Sequence, residues 1–324
     1  METQTLALED PGALDAVSRC LIEGGLAAVP TETVYGLAAD ATNGVAVARI
    51  YEAKGRPSFN PLIAHVADMA MARQHAAFFD LSERLAQAFW PGPMTLVLPA
   101  IPHSTVHPLV RAGLPTIALR MPRGPLREIV GRIGRPLAAP SANPSGRVSA
   151  TNARHVVRGL GGRIEMVLDG GPCPLGLEST ILKPEDGRVA LLRPGALPVE
   201  EIAASIGVEV TKAGAGVQSP GQLASHYAPF GRLRLNAGRV EPGEHLIAFG
   251  PTPLPGQDDA GAVLNLSPGG DLREAAAGLF DALARFDAPD IERIAVAPIP
   301  ETGLGAAIND RLRRAAAPRD HLED

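Results

Sequence analysis

Cysteine is nearly absent from this sequence, with only Cys20 and Cys173 among 324 residues. Two cysteines are too few for a disulfide-stapled fold or for a cysteine-ligated zinc site. Long apolar runs are also missing, because the longest, near 94–101, is too short to cross a bilayer. The first fifteen residues lack the charged and then apolar pattern of an export signal. We therefore expect a cytoplasmic protein without a membrane segment.

Aromatic residues are scarce at 4%, and the common nucleotide and catalytic motifs are missing. The sequence contains no GxxxxGK[ST], HExxH, CxxC or GxSxG pattern. Any ATP site must therefore be built from side chains and loops outside those motifs. The chain is nevertheless 45% apolar and has 35 glycines and 31 prolines, a composition that favours a packed, loop-rich α/β protein.

Hydrophobic periodicity predicts alternating helices and strands as far as residue 206, including one helix over 67–90. This mixture indicates an α/β domain with a largely buried sheet. Small residues, glycine and proline then dominate 212–231 without periodicity, which is typical of a linker. Strand-like segments and an amphipathic helix at 271–287 follow. We predict a catalytic domain at 1–207, a linker at 208–231 and a small βαβ domain at 232–324.

Positive charge is concentrated in residues 111–163, which contain ten arginines and one acid, Glu128, although the whole chain has a net charge of −5. Two explanations fit this cluster of arginines equally well. The arginines could lie on solvated helix faces, or they could form a site for a polyanion, such as nucleotide phosphates or RNA. Lysine supplies only three of the thirty cations. Lys54 is therefore not simply the default cation of this composition.

The segment EAKGRPSFNPLIAHV (52–66) sets Lys54 and Arg56 around a glycine at a predicted helix end. Cations there complement the helix dipole, so an ordinary helix stop is one interpretation and half of an anion site is the other. Other strand ends carry polar side chains as well. Arg120 is predicted to lie within a strand without a nearby acid, so we expect it to need an anionic partner. The remaining polar residues at strand ends are Thr31, Glu32, Thr33, Tyr35, Ser141, Asn143, Ser145, Ser149, Thr151, Ser179, Thr180 and Arg193. Together these positions indicate strand ends that converge on a cationic, donor-rich pocket.

An ordered set of motifs resembles the YrdC-like domain of the threonylcarbamoyl-AMP synthases. The motifs are PTETVYGL, KGRP followed by NPL and His65, PGPMTLVL, LRMP, PSANPSGRVSAT and LRPGA. SPGQLASHYAP in the linker and the closing GLGAAINDRL resemble the long, two-domain form of the family. The resemblance covers essentially the whole chain. It implies a twisted YrdC-like sheet domain with a cationic cleft, followed by a smaller Rossmann-like domain.

The resemblance also implies an enzyme, a nucleotidyltransferase that makes L-threonylcarbamoyladenylate from L-threonine, bicarbonate and ATP and releases pyrophosphate. The product would pass to a tRNA threonylcarbamoyl transferase complex, which modifies the adenosine next to the anticodon. Mg²⁺ would arrive with ATP, because no paired-carboxylate metal site is evident in these motifs. The resemblance does not decide whether tRNA itself binds.

Individual roles follow from the same resemblance. Lys54 and Arg56 would act in catalysis and hold phosphate or bicarbonate oxygens, and Arg120 would clamp the threonine carboxylate. Threonine's amine and hydroxyl would contact Thr33, His65, Ser141 and Ser179. The nucleotide would contact Asn60, Thr116, Asn143, Thr151 and Arg193, with Tyr227 closing over it as part of a lid. The chain has QLAS at 222–225, where the family often has basic and aromatic residues, so a phosphate contact from that segment is in doubt.

Alternative functions remain. A non-catalytic RNA-binding protein could grip phosphates with the arginines of 111–163, and its affinity would fall steeply with salt. A carbamoyl-phosphate-using transferase on the same fold would carry zinc-finger-like and acylphosphatase-like segments, which this sequence lacks. An inert homologue is disfavoured because Lys54, Arg56, Ser141 and Asn143 are all retained.

Overall fold

Two β-sheets organise the protein, for which a computed structural model describes residues 1–214 and 225–318. In these residues, eleven strands form one sheet in the order β1-β8-β2-β3-β7-β4-β6-β5-β9-β10-β11, and four form another in the order β12-β15-β13-β14. We refer to β1–β11 with α1–α8 as the first unit, and to β12–β15 with α9 and α10 as the second unit. The predicted α/β class, with a large sheet followed by a smaller α/β unit, is confirmed.

The first unit alternates short strands with helices. Its strands are β1 (Gln4–Ala7), β2 (Ala27–Val29), β3 (Gly36–Asp40), β4 (Ile63–His65), β5 (Met94–Pro99), β6 (Thr116–Arg120), β7 (Leu137–Ala138), β8 (Met166–Asp169), β9 (Thr180–Glu185), β10 (Arg188–Arg193) and β11 (Val210–Lys212). Its helices are α1 (Ala13–Ile22), α2 (Gly44–Lys54), α3 (Met69–Arg73), α4 (Asp80–Phe89), α5 (Pro108–Arg111), α6 (Pro125–Ile133), α7 (Ala153–Leu160) and α8 (Val199–Ile206).

The second unit is built on a parallel sheet. It comprises β12 (Arg232–Arg234), β13 (His245–Ala248), a 3₁₀ turn (Gln257–Asp259), β14 (Val263–Asn265), α9 (Leu272–Arg285), β15 (Arg293–Val296) and α10 (Leu304–Ala316). Apolar residues of α9 and α10, such as Leu279, Leu283 and Ile308, are fully buried against this sheet. The amphipathic stripe predicted for 271–287 is therefore the core-facing side of α9.

Helix α2 ends where its sequence predicts. The Asn43 side chain accepts hydrogen bonds from the amides of Val45 and Ala46 and so caps the start of the helix. Gly55 closes the helix with a φ of 59°, a left-handed conformation that glycine adopts without strain. Lys54 is consequently the last helical residue, and the chain turns sharply before Arg56.

The single helix predicted over 67–90 is wrong, because the segment forms α3 and α4 with a break between them. In the break, Ala76 forms an isolated bridge with Ala100, and the amide of Ala77 donates to the carbonyl of Pro99. These contacts hold the backbone of the break against the end of β5. The edge strands β1 and β11 and the one-turn helix α5 were also not predicted, because each is too short to show periodicity. Across the described ranges, no helix is long and apolar enough to cross a membrane.

Candidate active site

A small cavity lies where several strands of the first unit end. His65 ends β4 and Arg120 ends the parallel strand β6, and the two residues are direct partners in register. Ser179 directly precedes β9, and β9 runs parallel to β5. Only about 40 Å³ of the cavity is open to the centre of a water molecule. The lining residues are Val34, Arg56, Ile63, His65, Arg120, Ala139, Pro140, Ser141, Glu178, Ser179, Arg193, His226 and Tyr227.

Arg120 already has an acidic partner, which corrects the sequence-based expectation that it lacks one. Its guanidinium lies 2.8 Å from Oε2 of Glu32, and both side chains are buried. Nε of Arg120 also donates to the carbonyl of Gly92 at 3.3 Å. Glu32 belongs to the turn between β2 and β3, far from Arg120 along the chain, so local sequence could not reveal the pair. The other oxygen of Glu32, Oε1, is buried and has no hydrogen-bond partner in the part of the chain that the structure describes.

Two further arginines project into the cavity wall from different elements. Arg56 is held by the loop after α2, because Nε donates to the carbonyl of Asn60 at 3.2 Å and a terminal nitrogen donates to that of Pro61 at 2.8 Å. Burial lowers the pKa of Arg56 to about 10, and the charge of Arg193 acts in the same direction. Arg193 ends β10 and donates to the carbonyl of Ser179 at 2.8 Å. Burial likewise lowers the pKa of Arg193.

Lys54 lies beside the cavity and, among the described residues, is not part of its lining. Its ammonium donates to the carbonyl of Ser141 at 2.6 Å and to that of Asn143. The side chain is almost fully buried, and burial, followed by the charge of Arg56, lowers the pKa of Lys54 well below its usual value. In this conformation Lys54 ties α2 to the 141–143 loop, and its phosphate or bicarbonate contact stays a prediction.

The residues predicted to contact threonine lie together, apart from one. His65, Arg120, Ser141 and Ser179 line the cavity. Thr33 is fully buried one residue before Val34, where its hydroxyl lies 2.8 Å from that of Thr31.

His65 is neutral in this environment. Burial lowers its pKa to about 3, and the charge of Arg120 adds to the effect. Nδ1 of His65 is buried without a hydrogen-bond partner in the described part of the chain. A neutral imidazole nitrogen at a cavity wall can accept a hydrogen bond from an amine or a hydroxyl.

The residues predicted to contact the nucleotide are more dispersed. Arg193 and Tyr227 line the cavity, whereas Asn60, Thr116, Asn143 and Thr151 are not among its described lining residues. Thr116 begins β6 while Arg120 ends it, about 13 Å away at the usual strand rise.

Two buried amides near the cavity still have unused hydrogen-bonding capacity. Within residues 1–214 and 225–318, both polar atoms of the Asn60 side chain and Oδ1 of Asn143 have no hydrogen-bond partner. Nδ2 of Asn143 is used, because it donates to the carbonyls of Pro144 and Arg147. Buried polar groups are normally satisfied, so these atoms are ready to bind a polar ligand. Thr151 is different, since its hydroxyl already lies 3.4 Å from Nδ1 of His155.

Two polar lining residues were not predicted from the sequence, His226 and Glu178. The ring of His226 packs on that of Tyr227 with 4.0 Å between centroids, and burial lowers the pKa of His226 to about 3. The position of His226 beside Tyr227 was the one signal that could have identified it. Tyr227 itself has a φ of 64° and is almost fully buried. Residues 222–224, whose nucleotide contact was in doubt, lie outside the described residues.

Nearly all the arginines of 111–163 make contacts within the chain. Nine of the ten arginines donate hydrogen bonds to, or form ion pairs with, carboxylates or backbone carbonyls of this chain. These nine are Arg111, Arg120, Arg123, Arg127, Arg132, Arg135, Arg147, Arg158 and Arg163. The tenth is Arg154. Their clustering in sequence therefore needs no nucleic acid to explain it.

Comparison with known proteins matches both units of the chain. Residues 19–195 match the family described as "Telomere recombination", and residues 197–317 match the one described as "Threonylcarbamoyl-AMP synthase, C-terminal domain". A threonylcarbamoyl-AMP synthase of Bacillus subtilis is 41% identical, over 98% of this chain and 96% of its own. The chain belongs to the threonylcarbamoyl-AMP synthase family. The family and the enzyme class predicted from the ordered motifs are thereby confirmed.

Other threonylcarbamoyl-AMP synthases are similar over nearly the same length. The one from Pyrococcus abyssi is 39% identical over 92% of each chain. A crystal structure of P. abyssi Sua5 complexed with L-threonine has a TM-score of 0.87, with 36% identity and 98% coverage of both chains. The similarity thus extends over both sheets.

Proposed function

We propose that this protein synthesises L-threonylcarbamoyladenylate from L-threonine, bicarbonate and ATP, with release of pyrophosphate. The observation that carries the proposal is the cavity itself. Three buried arginines from separate elements, Arg56, Arg120 and Arg193, meet there with the hydroxyls of Ser141 and Ser179. All three proposed substrates carry anionic oxygen groups, and charged hydrogen bonds from arginine are well suited to carboxylate and phosphate oxygens. A structure of the P. abyssi relative in complex with L-threonine supports the assignment of threonine.

In the proposed reaction, the neutral amine of threonine first attacks the carbon of bicarbonate, and loss of water leaves a carbamate. A carbamate oxygen then attacks the α-phosphorus of MgATP, and pyrophosphate leaves with its electron pair. Arg120 holds the threonine carboxylate, and His65 accepts a hydrogen bond from the amine or the side-chain hydroxyl. Thr33, Ser141 and Ser179 complete the threonine site. Positioning and charge neutralisation supply most of the acceleration.

The triphosphate is proposed to lie along Lys54, Arg56 and Arg193, the first two acting in catalysis, with Asn60, Thr116, Asn143, Thr151 and Tyr227 contacting the rest of ATP. The polar atoms of Asn60 and Oδ1 of Asn143, which have no hydrogen-bond partner among the described residues, support this part of the proposal. The magnesium ion belongs to the substrate. In the described residues, no group of three or more His, Cys, Asp or Glu side chains is arranged to hold a metal ion.

We further propose that His226 and Tyr227 open and close the cavity. Binding sites for molecules of this size usually enclose several hundred Å³, far more than the 40 Å³ now open. Because His226 and Tyr227 line the cavity, their displacement would enlarge it. Their return over the substrates would exclude water from a carbamate and a mixed anhydride that hydrolyse readily. The division into a catalytic domain at 1–207, a linker at 208–231 and a C-terminal domain at 232–324 is part of this proposal.

The product is proposed to pass to a cytoplasmic transferase complex that modifies tRNA next to the anticodon. A mixed anhydride has a short lifetime in water, so a downstream acceptor is needed. The alternative, a non-catalytic RNA-binding protein, gains no support from the arginines of 111–163 that are engaged within the chain.

Pyrophosphate release from the purified protein tests the proposal most directly. We expect release only when ATP, threonine and bicarbonate are all present, and omission of each in turn checks this. Arg56→Ala should weaken ATP handling by about 1.5–3 kcal/mol, the usual scale for charged hydrogen bonds. Arg188→Ala is the matched control, because its side chain is 68% exposed on β10. Release that does not depend on threonine, or equal kinetics in the two variants, would contradict the proposal.

A further inference from the structure

A buried arginine of the second unit reaches the wall of the cavity in the first unit. Arg311 lies on α10, and its side chain is completely buried. Nε donates to Oε2 of Glu178 at 2.8 Å, and a terminal nitrogen donates to the carbonyl of Pro194 at 2.9 Å. Both acceptors belong to the first unit. Helix α10 therefore carries a positive charge across the boundary between the two units.

The partner of this arginine, Glu178, is a carboxylate in the cavity wall. Oε1 of Glu178 accepts a hydrogen bond from the hydroxyl of Ser149 at 2.6 Å, and Oε2 is taken by Arg311. Burial by itself would raise the pKa of Glu178, but the charges of Arg311 and Arg193 outweigh it and hold the pKa at about 2. The cavity wall thus contains a permanent negative charge, and Arg311 donates a hydrogen bond directly to it.

The same guanidinium also contacts a second part of the wall. Its carbon lies 5.2 Å from the ring centroid of Tyr227, within the range of a cation–π contact. Asp310, the residue before Arg311, accepts a hydrogen bond from another nitrogen of the guanidinium at 2.6 Å. The donors of Arg311 are therefore shared between its own helix and two elements of the first unit.

A carboxylate beside a site for anions repels the bound anion unless a nearby cation balances its charge. At an effective dielectric of about 20, two like charges roughly 8 Å apart with no counter-ion weaken binding by roughly thirtyfold. We infer that Arg311 is a positioning residue for the ATP site, which neutralises Glu178 so that the cavity wall does not repel the triphosphate. The inference rests on the proposed function, since it assigns ATP to this cavity.

A purely structural role makes a different prediction. If Arg311 only filled space and joined the units, removing the charge of Glu178 as well would not restore the ATP binding lost in the Arg311 variant. If charge balance is its contribution, Arg311→Met should weaken ATP binding, and Glu178→Gln added to it should restore most of that binding. Glutamine keeps an oxygen for the hydroxyl of Ser149 while losing the negative charge.

Calorimetric titration of MgATP into the full-length variants tests the inference. We expect Arg311→Met to raise the dissociation constant about thirtyfold and the double variant to return close to the wild-type value. Arg313→Met is the control, because Arg313 lies on the same helix but is 55% exposed and pairs with Glu301. Wild-type affinity in Arg311→Met, or a folded double variant that binds as weakly as the single one, would overturn the inference. If Arg311→Met does not fold, the double variant decides alone, since near-wild-type binding supports the inference and lost binding refutes it.

Turnover by the wild-type protein separates this inference from the proposed function. If the wild-type protein released no pyrophosphate, the synthase proposal would be refuted, while MgATP titration would still test the role of Arg311. Normal release from the wild type combined with unchanged ATP binding in Arg311→Met would refute the inference alone.

Discussion

Removal of Arg120 should destabilise the protein far more than removal of an exposed arginine. The side chains of Arg120 and Glu32 are only 5% and 9% exposed, and they lie 2.8 Å apart. Arg120→Met would leave Glu32 as a buried charge without a cation, which costs about 3–5 kcal/mol in comparable cases. Arg132→Met is the control, because Arg132 is 41% exposed and its ion pairs should contribute at most about 1 kcal/mol.

The only tryptophan of the sequence provides a local probe for this measurement. Trp90 is buried in the first unit, and its indole donates to the carbonyl of Met94 at 2.7 Å. Urea-induced unfolding followed by Trp90 fluorescence therefore reports on the unit that contains Arg120. We expect a clearly lower midpoint for Arg120→Met and almost no change for Arg132→Met.

Addition of Glu32→Gln to Arg120→Met should recover much of the lost stability, because replacing both members of a buried ion pair is often nearly neutral. The glutamine oxygen can still accept from the amide of Arg123, which now donates to Glu32 at 3.1 Å. The double variant should fold yet fail to bind threonine, which separates the stabilising role of Arg120 from its proposed role in the site. Equal costs for Arg120→Met and Arg132→Met, or no recovery in the double variant, would refute this reasoning.

Three further predictions concern the cavity and its surroundings. Lys54→Met should weaken ATP binding by about 1.5–3 kcal/mol. The ATP affinity of the wild-type protein should fall as pH rises, because the phosphate binds the protonated amine of Lys54. Titration calorimetry at a series of pH values measures both effects. Stability should fall as pH drops from about 6.5 towards 3, because His65 and His226 take up protons in the unfolded state before they can do so when buried; a urea midpoint independent of pH in that range would contradict this. Gly195→Ala should disturb the cavity and reduce pyrophosphate release, because its Cβ would lie 2.4–2.5 Å from backbone atoms of residues 178–180. Gly238→Ala should leave pyrophosphate release almost unchanged, because a Cβ at that position meets nothing within 4 Å.

Local sequence was sufficient for most helices and strands. The end of α2 at Gly55 and the amphipathic side of α9 depend on residues a few positions apart, so periodicity and capping predict them. The ordered motifs likewise identified the family, and with it a set of candidate residues. Four of the five proposed threonine contacts, with Arg56, Arg193 and Tyr227, line one cavity.

Tertiary structure alone decided which charges meet. The strand order β1-β8-β2-β3-β7-β4-β6-β5 brings the turn after β2 near the end of β6, so Glu32 lies against Arg120. Packing of α10 on the first unit likewise sets Arg311 on Glu178. These partners are distant in the chain, and no local pattern encodes the order in which strands and helices pack. The amino-acid sequence therefore determined which charged side chains were available, whereas their pairing, burial and shifted pKa values arose only when the chain folded.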